Sequence, residues 1–250
     1  MVHLFSQHLE YSQFLIVLLV AFLVGMSKTG LQGAGMLTAP LMAIVYGGKL
    51  SSGVILPMLV FADIFGVWYY HKHAEWKFLK HLFPWAALGI IAGTIVGNYI
   101  DDGLFKSIMA GVILISIAIM IWQEKANKKK VDPSPLFTGF MGLAGGFTSM
   151  IGNLAGTVMA VYFLSVKLPK NPFIGTTAWF FLIINLAKVP FHIFFWHTIN
   201  TNTFLFNLTT IPAILAGAFL GIFIVKKLSD KVYRWFIIVM TLAASGFMLI

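Results

Sequence analysis

The sequence predicts an all-α polytopic membrane protein, built as two inverted repeats of five apolar segments each. Three observations predict this fold. The 250 residues are 59% hydrophobic and only 10% charged, with a mean hydropathy of +0.91, whereas about 25% of the residues in a soluble domain are charged. Apolar runs separated by short polar loops fill nearly the whole length, which is typical of membrane-spanning helices. A glycine-rich motif also occurs twice, once in each half.

Composition argues against several other classes of protein. The apolar runs do not alternate with polar residues as the strands of a membrane β-barrel would. The chain has no cysteine, which excludes disulfides and thiolate chemistry. Its net charge of +9 comes from lysines spread over several loops, and this fits the positive-inside rule better than a basic face for nucleic acid. No nucleic-acid partner is therefore expected. The lipid bilayer is the expected surroundings of the chain.

Five apolar segments precede a polar linker at 123–135, and five follow it. The first segment has no small-residue cleavage site after it, so it is interpreted as an uncleaved helix and not as a signal peptide. The linker, with four lysines and two prolines, separates a first membrane repeat at 1–122 from a second at 136–250. The ten segments are 12–26, 33–47, 52–70, 78–100, 104–122, 134–149, 151–166, 172–196, 203–225 and 232–250.

The first two segments of each half, which the glycine motif joins, look too short to cross a bilayer alone. A segment of about 15 residues rises about 22 Å at 1.5 Å per residue, less than the ~30 Å hydrocarbon core. The sequence therefore predicts short broken or re-entrant helices near the start of each half. Further matches relate the halves, at offsets of 117, 122, 124 and 128 residues. The paired residues are Gly35 with Gly152, Gly53 with Gly175, Gly93 with Gly217, and Asp102 with Asp230.

The distribution of basic residues predicts the topology. An odd number of segments in each half makes the second half enter the membrane from the opposite side. If the linker is cytoplasmic, 13 of the 17 Lys and Arg residues share its side, and Lys28 makes 14 if it too lies there. Only Lys49 and Lys106 fall on the other side, and Lys188 lies within a segment. This bias predicts a cytoplasmic linker and two external termini.

The helix breaks are the first candidate site. Free N–H groups at a helix start, together with the helix dipole, favour an anion. Inverted repeats would bring two such starts, near Gly35 and Gly152, together close to the membrane midplane. The alternative is that the glycines only permit close helix packing. The candidate substrate-binding residues of these motifs are Gly30, Gly33, Gly35, Thr38, Gly152, Asn153 and Thr157.

Charged residues within the membrane are the second signal, because an ionisable group there is costly and is by default a functional candidate. Lys188 shares a helix face with Thr177, Asn185 and His192, and it is expected to attract the anion. Asp63, Asn185 and His192 are the candidates for proton coupling or gating. The alternative is a structural ion pair between Asp63 and Lys188. Lys28 precedes the first motif and either faces the site or lies at the cytoplasmic edge.

Enzymatic signals are missing from the sequence. It contains no Walker, nucleophile-elbow or His-Glu-x-x-His pattern, and no clustered carboxylates for a metal. We therefore expect a protein that is not an enzyme and that uses no cofactor and no metal. Uphill transport would have to use an ion or substrate gradient.

Two glycine-rich motifs carry a resemblance to a known family: Gly30-x-x-Gly33-x-Gly35-x4-Pro40 and Gly145-Gly146-x5-Gly152. With the Ala-Gly-x-x-x-Gly and Asp-x-x-aromatic-basic repeats, they look like the motifs of the TauE/SafE sulfite exporter family, also called the 4-toluene sulfonate uptake permease family. The family's first motif often has three consecutive glycines where this chain has Ala34 between two, and its second often has a proline where Thr157 stands.

The resemblance implies transport of small sulfur-containing or organic anions, such as sulfite, sulfonates or thiosulfate, across the bacterial inner membrane. The residues themselves also favour an anion, bound between the two broken-helix starts by a secondary transporter. Protons are a candidate coupling ion, and a homo-oligomer is a candidate assembly. The alternatives are an anion channel and a structural membrane module that transports nothing.

Overall fold

The computed structural model describes residues 2–4, 7–35, 37–101, 103–105, 107–108, 111, 114–115, 118, 133–233, 235–237 and 239. Over these residues the chain is helical apart from a small hairpin at the N-terminus, where β1 (Val2–Leu4) pairs antiparallel with β2 (Gln7–Leu9). The predicted helical class is confirmed. The linker 123–135 and the segments 104–122 and 232–250 lie largely outside the described residues.

The first half is broken soon after its first helix. That helix ends where Gly30 takes a φ of 131°, a backbone conformation that residues with a side chain rarely adopt. The predicted segment 33–47 is divided into two short helices. A second glycine with positive φ, Gly47 at 81°, turns the chain into the next long helix. The helices are α1 (Tyr11–Lys28), α2 (Gln32–Gly35), α3 (Thr38–Tyr46), α4 (Gly48–Tyr70) and α5 (Trp76–Tyr99), with a 3₁₀ turn at His71–His73.

The second half begins with a capped helix, because the Ser134 hydroxyl accepts a hydrogen bond from the Phe137 N–H at 3.2 Å and Pro135 occupies the first turn. A 51° bend separates its last two described helices. Pro212 follows the bend and cannot supply the N–H that a continuous helix needs, so the predicted segment 203–225 is two helices. The helices are α6 (Pro135–Gly152), α7 (Ala155–Ser165), α8 (Lys170–Phe194), α9 (Thr201–Thr209) and α10 (Ile211–Lys227).

Glycines hold the two halves together at two helix crossings. Helix α1 packs on α10, and α5 packs on α6. A Cβ on Gly217 would collide with the Phe22 carbonyl, and a Cβ on Gly146 with the Ala86 carbonyl. Backbones approach this closely only where side chains are missing. These glycines therefore fix which helices are neighbours.

The centre of the molecule is formed by α4, α8 and the short helix α7. Helix α4 packs along α8, and nearly every residue of α7 is buried. Large aromatic side chains of α7 and α8 fill this centre, among them Tyr162, Phe163 and Phe180, each 0% exposed. A helix that is buried on all sides carries no continuous polar face, and α7 accordingly has only isolated polar residues such as Thr157 and Ser165.

Four described stretches are long and apolar enough to span a bilayer, namely α1, Gly48–His73, α5 and α8. The bent pair α9–α10 makes a fifth if it counts as one span. Trp68, Leu88 and Phe219 are 52–69% exposed on these helices, as expected for side chains that face lipid. Helix α7, with 11 residues, is shorter than a span, which agrees with the predicted short segment.

Candidate functional site

The two helix breaks meet at one cavity of about 50 Å³. A water molecule needs about 10–15 Å³ on this measure, so the cavity has room for a small anion or a few waters. Helices α1, α3, α6, α7 and α8 all contribute to its wall. Six of the predicted site residues line it: Lys28, Gly35, Thr38, Asn153, Thr157 and Asn185.

At the first break the cavity is bounded by the end of α2 and the start of α3. Gly35 is the last residue of α2 and lies against the side chain of Ser27, where a Cβ would collide. The Thr38 hydroxyl donates a hydrogen bond to the Gly35 carbonyl at 2.6 Å. Its proton is therefore directed to the backbone, and the hydroxyl presents lone pairs elsewhere.

At the second break, Asn153 shapes the site. It ends α6 in the left-handed conformation, with φ 57° and ψ 29°, which asparagine tolerates better than most residues. Its amide nitrogen donates to the Ser52 carbonyl at 3.0 Å, and its amide oxygen accepts a hydrogen bond from Lys188 at 2.6 Å. The next helix begins at Ala155, so the predicted start near Gly152 is displaced to the far side of this residue.

The Thr157 hydroxyl also donates locally, to the Leu154 carbonyl at 2.8 Å. Both threonines were expected to offer hydrogen bonds to a ligand, and both lie at the cavity wall. In this structure their protons serve the backbone, as is common for threonine at a helix start. No side chain caps α3 or α7, so the N–H groups of their first two residues are candidate donors at the breaks, whereas the Thr157 N–H bonds to the Leu154 carbonyl at 3.1 Å.

Lys28 and Asp63 form an ion pair beside the cavity, with 3.0 Å between Nζ and Oδ1. The Asn185 amide donates to the other carboxylate oxygen of Asp63 at 2.6 Å. The Lys28 ammonium also lies 3.9 Å from the centroid of the Phe181 ring, within range for a cation–π contact. Because Asp63 is fully buried, this pairing satisfies a charge that would otherwise be costly.

Lys188 is fully buried and contacts two residues that line the cavity, Ser149 and Asn153. Its ammonium donates to the Ser149 carbonyl at 3.0 Å and to Asn153 Oδ1 at 2.6 Å. The alternative of a structural pair between Asp63 and Lys188 is wrong for this structure, since Asp63 pairs with Lys28. Repeat alignment placed Asp63 opposite the right segment, but it gave no information on which lysine comes within 4 Å.

His192 lies farther along α8, away from the cavity lining. Its Nδ1 is 2.8 Å from the Thr198 hydroxyl, and its ring meets the edge of Trp196 at 5.0 Å between centroids. The other ring nitrogen is buried and has no hydrogen-bond partner among the described residues. The predicted stripe of Thr177, Asn185, Lys188 and His192 is buried along its whole length.

Two predicted glycines, Gly30 and Gly152, do not line the cavity. Gly30 lies in the loop after α1, where its carbonyl accepts a hydrogen bond from the Tyr233 hydroxyl. Gly33 lies within α2, and Gly152 is the last residue of α6. Their positions serve the chain reversals that bring the two breaks together. In the part of the chain that the structure describes, no three His, Asp or Glu residues cluster as metal ligands would.

The sequence analysis missed Ser52, Ser149 and Phe181. Ser52 accepts the Asn153 amide across 101 residues of chain, a contact with no signal in local spacing. Ser149 lines the cavity, and its hydroxyl is buried without a partner in the described chain. Ser149 lies at the end of a glycine-rich segment, beside Thr148, and this position was the sequence signal that could have marked it as a site residue. Phe181 lies in a long apolar run, and nothing in the sequence distinguishes it from its apolar neighbours.

A sequence model of the family described as Sulfite exporter TauE/SafE matches residues 17–248. The match includes every residue of the candidate site and both sides of the linker. No curated protein and no solved structure matches the chain.

Proposed function

Because the chain belongs to the TauE/SafE sulfite exporter family, and thus to a family of exporter-type membrane transporters, we propose that it is a secondary transporter of small anions. Its substrates are sulfur-containing or organic anions of the sulfite, sulfonate and thiosulfate class. The anion binds in the cavity between the two helix breaks. The protein resides in the bacterial inner membrane and performs no catalysis.

One observation carries this proposal: both breaks open onto the same cavity, and a cationic side chain lines it. Helices α3 and α7 each begin there without a side-chain cap, so the N–H groups of their first two residues are the proposed backbone donors to the ligand. Lys28 adds a positive charge at the wall, and Lys188 adds another behind Ser149 and Asn153. Free amides and cations together are what an anion requires.

Contacts between the halves support a two-repeat architecture. The first helix of each half packs on a helix from the other half: α1 on α10, and α6 on α5. The third segments, α4 and α8, pack on each other. Asp63 and Asn185, which are 122 residues apart, also touch, and 122 is one of the repeat offsets. Such reciprocal contacts are expected when two repeats surround a common axis, as in many secondary transporters.

Transport requires an energy source other than ATP, since the chain has no nucleotide-binding motif. A proton gradient is the proposed partner, with Asp63 and His192 as the titratable groups that line the route through α4 and α8. The substrate gradient alone is the other source. The proposed assembly is a homo-oligomer in the lipid bilayer.

Flux into proteoliposomes tests the proposal. Purified protein is reconstituted, and uptake of labelled sulfite, thiosulfate and methanesulfonate is followed with and without a pH gradient, against protein-free vesicles. We expect saturable uptake of at least one anion, and acceleration when unlabelled anion is present on the far side. Uptake equal to that of protein-free vesicles would contradict transport. Uptake that does not respond to far-side anion would favour a channel.

A further inference from the structure

The buried charges around the cavity do not cancel. Lys28 and Asp63 neutralise each other as an ion pair. Lys188, 0% exposed, donates its hydrogen bonds to two neutral oxygens, the Ser149 carbonyl and the Asn153 amide. Asp63 is the only buried carboxylate among the described residues. With His192 counted as neutral, the cluster has a net charge of +1 when Lys188 is protonated.

This excess charge lies directly behind the cavity wall. Both oxygens that hold Lys188 belong to residues that line the cavity. Ser149 also carries a buried hydroxyl without a partner in the described chain, so a donor remains for a ligand. An uncompensated charge at such depth is destabilising, whereas a compensated one is tolerated.

We propose that the site selects its ligand by charge and accepts one negative charge, as in hydrogensulfite or a monosulfonate, while rejecting dianions such as sulfate. This narrows the class of substrates proposed above, because thiosulfate is also a dianion and is rejected. The inference rests on the proposed function. A monoanion brings the cluster of Lys28, Asp63 and Lys188 to zero, but a dianion leaves a buried charge of −1. This count of charges applies to the site with an anion bound. If Lys188 is a neutral amine in the empty site, one proton must bind to Lys188 together with the anion.

Charge can be tested separately from size. Methanesulfonate and sulfate have a similar tetrahedral shape and differ in charge, and perchlorate has sulfate's four oxygens with a single charge. Binding of each is measured by calorimetry on purified protein in detergent, at one pH and one ionic strength. In the wild-type protein we expect methanesulfonate and perchlorate to bind more tightly than sulfate, by about a hundredfold.

Two variants change the charge of the cluster in opposite directions. Asp63→Asn raises it to +2, so the ratio of sulfate to methanesulfonate affinity should rise by about tenfold or more. Lys188→Met lowers it to zero, so both monoanions should lose affinity. Lys72→Gln removes one positive charge from an exposed 3₁₀ turn and serves as the control, with affinities equal to the wild type.

The outcomes separate this inference from the proposed function. Sulfate that binds as tightly as methanesulfonate, or an affinity ratio that is unchanged in Asp63→Asn, would overturn charge selection while leaving an anion site in place. If none of the three anions binds, the proposed function fails together with the inference. If Asp63→Asn does not fold, the wild-type comparison alone decides the question.

Discussion

Lys28, which is partly buried, and Lys188, which is fully buried, have different surroundings. Lys28 has a carboxylate at 3.0 Å and an aromatic ring at 3.9 Å, whereas Lys188 has two neutral oxygens. The ion pair makes Lys28 part of the structure that holds α1 against α4. Among the described residues no carboxylate forms an ion pair with Lys188 within 4 Å, and this is why we propose that its charge serves a ligand. Two residues of one type therefore take different roles in one site.

The Lys28–Asp63 pair predicts strong coupling in a double-mutant cycle. Lys28→Met and Asp63→Asn each leave one buried charge without its partner, so each should lower the free energy of unfolding by about 3 kcal/mol. The double variant should be more stable than the sum of these losses allows, because it contains no stranded charge. Thermal unfolding of the purified variants in detergent measures this. Additive losses would show that the two side chains do not interact.

A second prediction concerns the space at the start of α7. Gly156 lines the cavity, and a Cβ added there would have no atom within 4 Å. Gly156→Ala should therefore leave stability unchanged or raise it by up to about 1 kcal/mol, since alanine favours a helix. The methyl group should enter the cavity and weaken binding of methanesulfonate, and Gly156→Leu should weaken it further.

Calorimetry on the Gly156 series supplies both readings, because the unfolding temperature controls for structural damage. Gly35→Ala is the contrasting variant: its Cβ would collide with Ser27, so it should lose stability as well as affinity. Anion affinity that remains at the wild-type value in Gly156→Leu would mean that the ligand binds elsewhere.

The partners of individual residues were only partly predictable from the sequence. The repeat alignment placed Asp63 opposite the segment that contains Asn185, and these two residues touch. The alignment could not identify Lys28 as the ion-pair partner, because Lys28 lies in a different segment of the same half. The contact of Asn153 with Ser52 depends on how two helix ends meet in space, and no spacing rule carries that information.

At the scale of the elements, glycine and proline explain both what was predicted and what was missed. The predicted segments at 12–26, 78–100 and 172–196 agree closely with α1, α5 and α8, because long apolar runs define a helix well. The segment 33–47 is divided into α2 and α3 next to its glycine Gly35. The short length of this segment was the sequence signal that predicted a broken helix. The bend at Thr210 was missed: Pro212 was visible in the sequence, but membrane helices often tolerate a proline, as α4 does with Pro57.

The crossing of α1 and α10 predicts a position-specific effect of side-chain size. In Gly217→Leu the new side chain would meet the Phe22 carbonyl, so the helices must separate and stability should fall by about 3 kcal/mol or more. Ala216→Leu adds the same bulk at the neighbouring exposed position and should have little effect. Unfolding temperatures in detergent compare the two. Equal temperatures would show that this crossing does not depend on glycine.

At the scale of the whole molecule, the reciprocal packing of the halves fits two arrangements, in which the second repeat crosses the membrane in the same direction as the first or in the opposite direction. Repeats that point the same way and repeats that are inverted both produce pairs such as α1 with α10 and α6 with α5. The basic residues favour inversion, since 13 of 17, not counting Lys28 at the cavity wall, share one side if the second half enters from the opposite face. A direct test must compare equivalent loops.

Cysteine labelling makes that comparison, and the native chain contains no cysteine to interfere. Glu75, in the loop after α4, and Thr201, the first residue of α9 after the loop that follows α8, occupy equivalent places in the two halves, and both residues are exposed. Inverted repeats place them on opposite sides of the membrane. A membrane-impermeant maleimide applied to intact cells should therefore label Thr201→Cys but not Glu75→Cys or Asn127→Cys in the linker. Permeabilised cells should give all three products, which controls for reactivity.

Labelling of Glu75→Cys together with Thr201→Cys in intact cells would indicate parallel repeats, and labelling of Asn127→Cys would reverse the predicted topology. Inversion would matter for the proposed function, because it would point the starts of the two short helices at each other across the midplane, where both could hold the proposed anion.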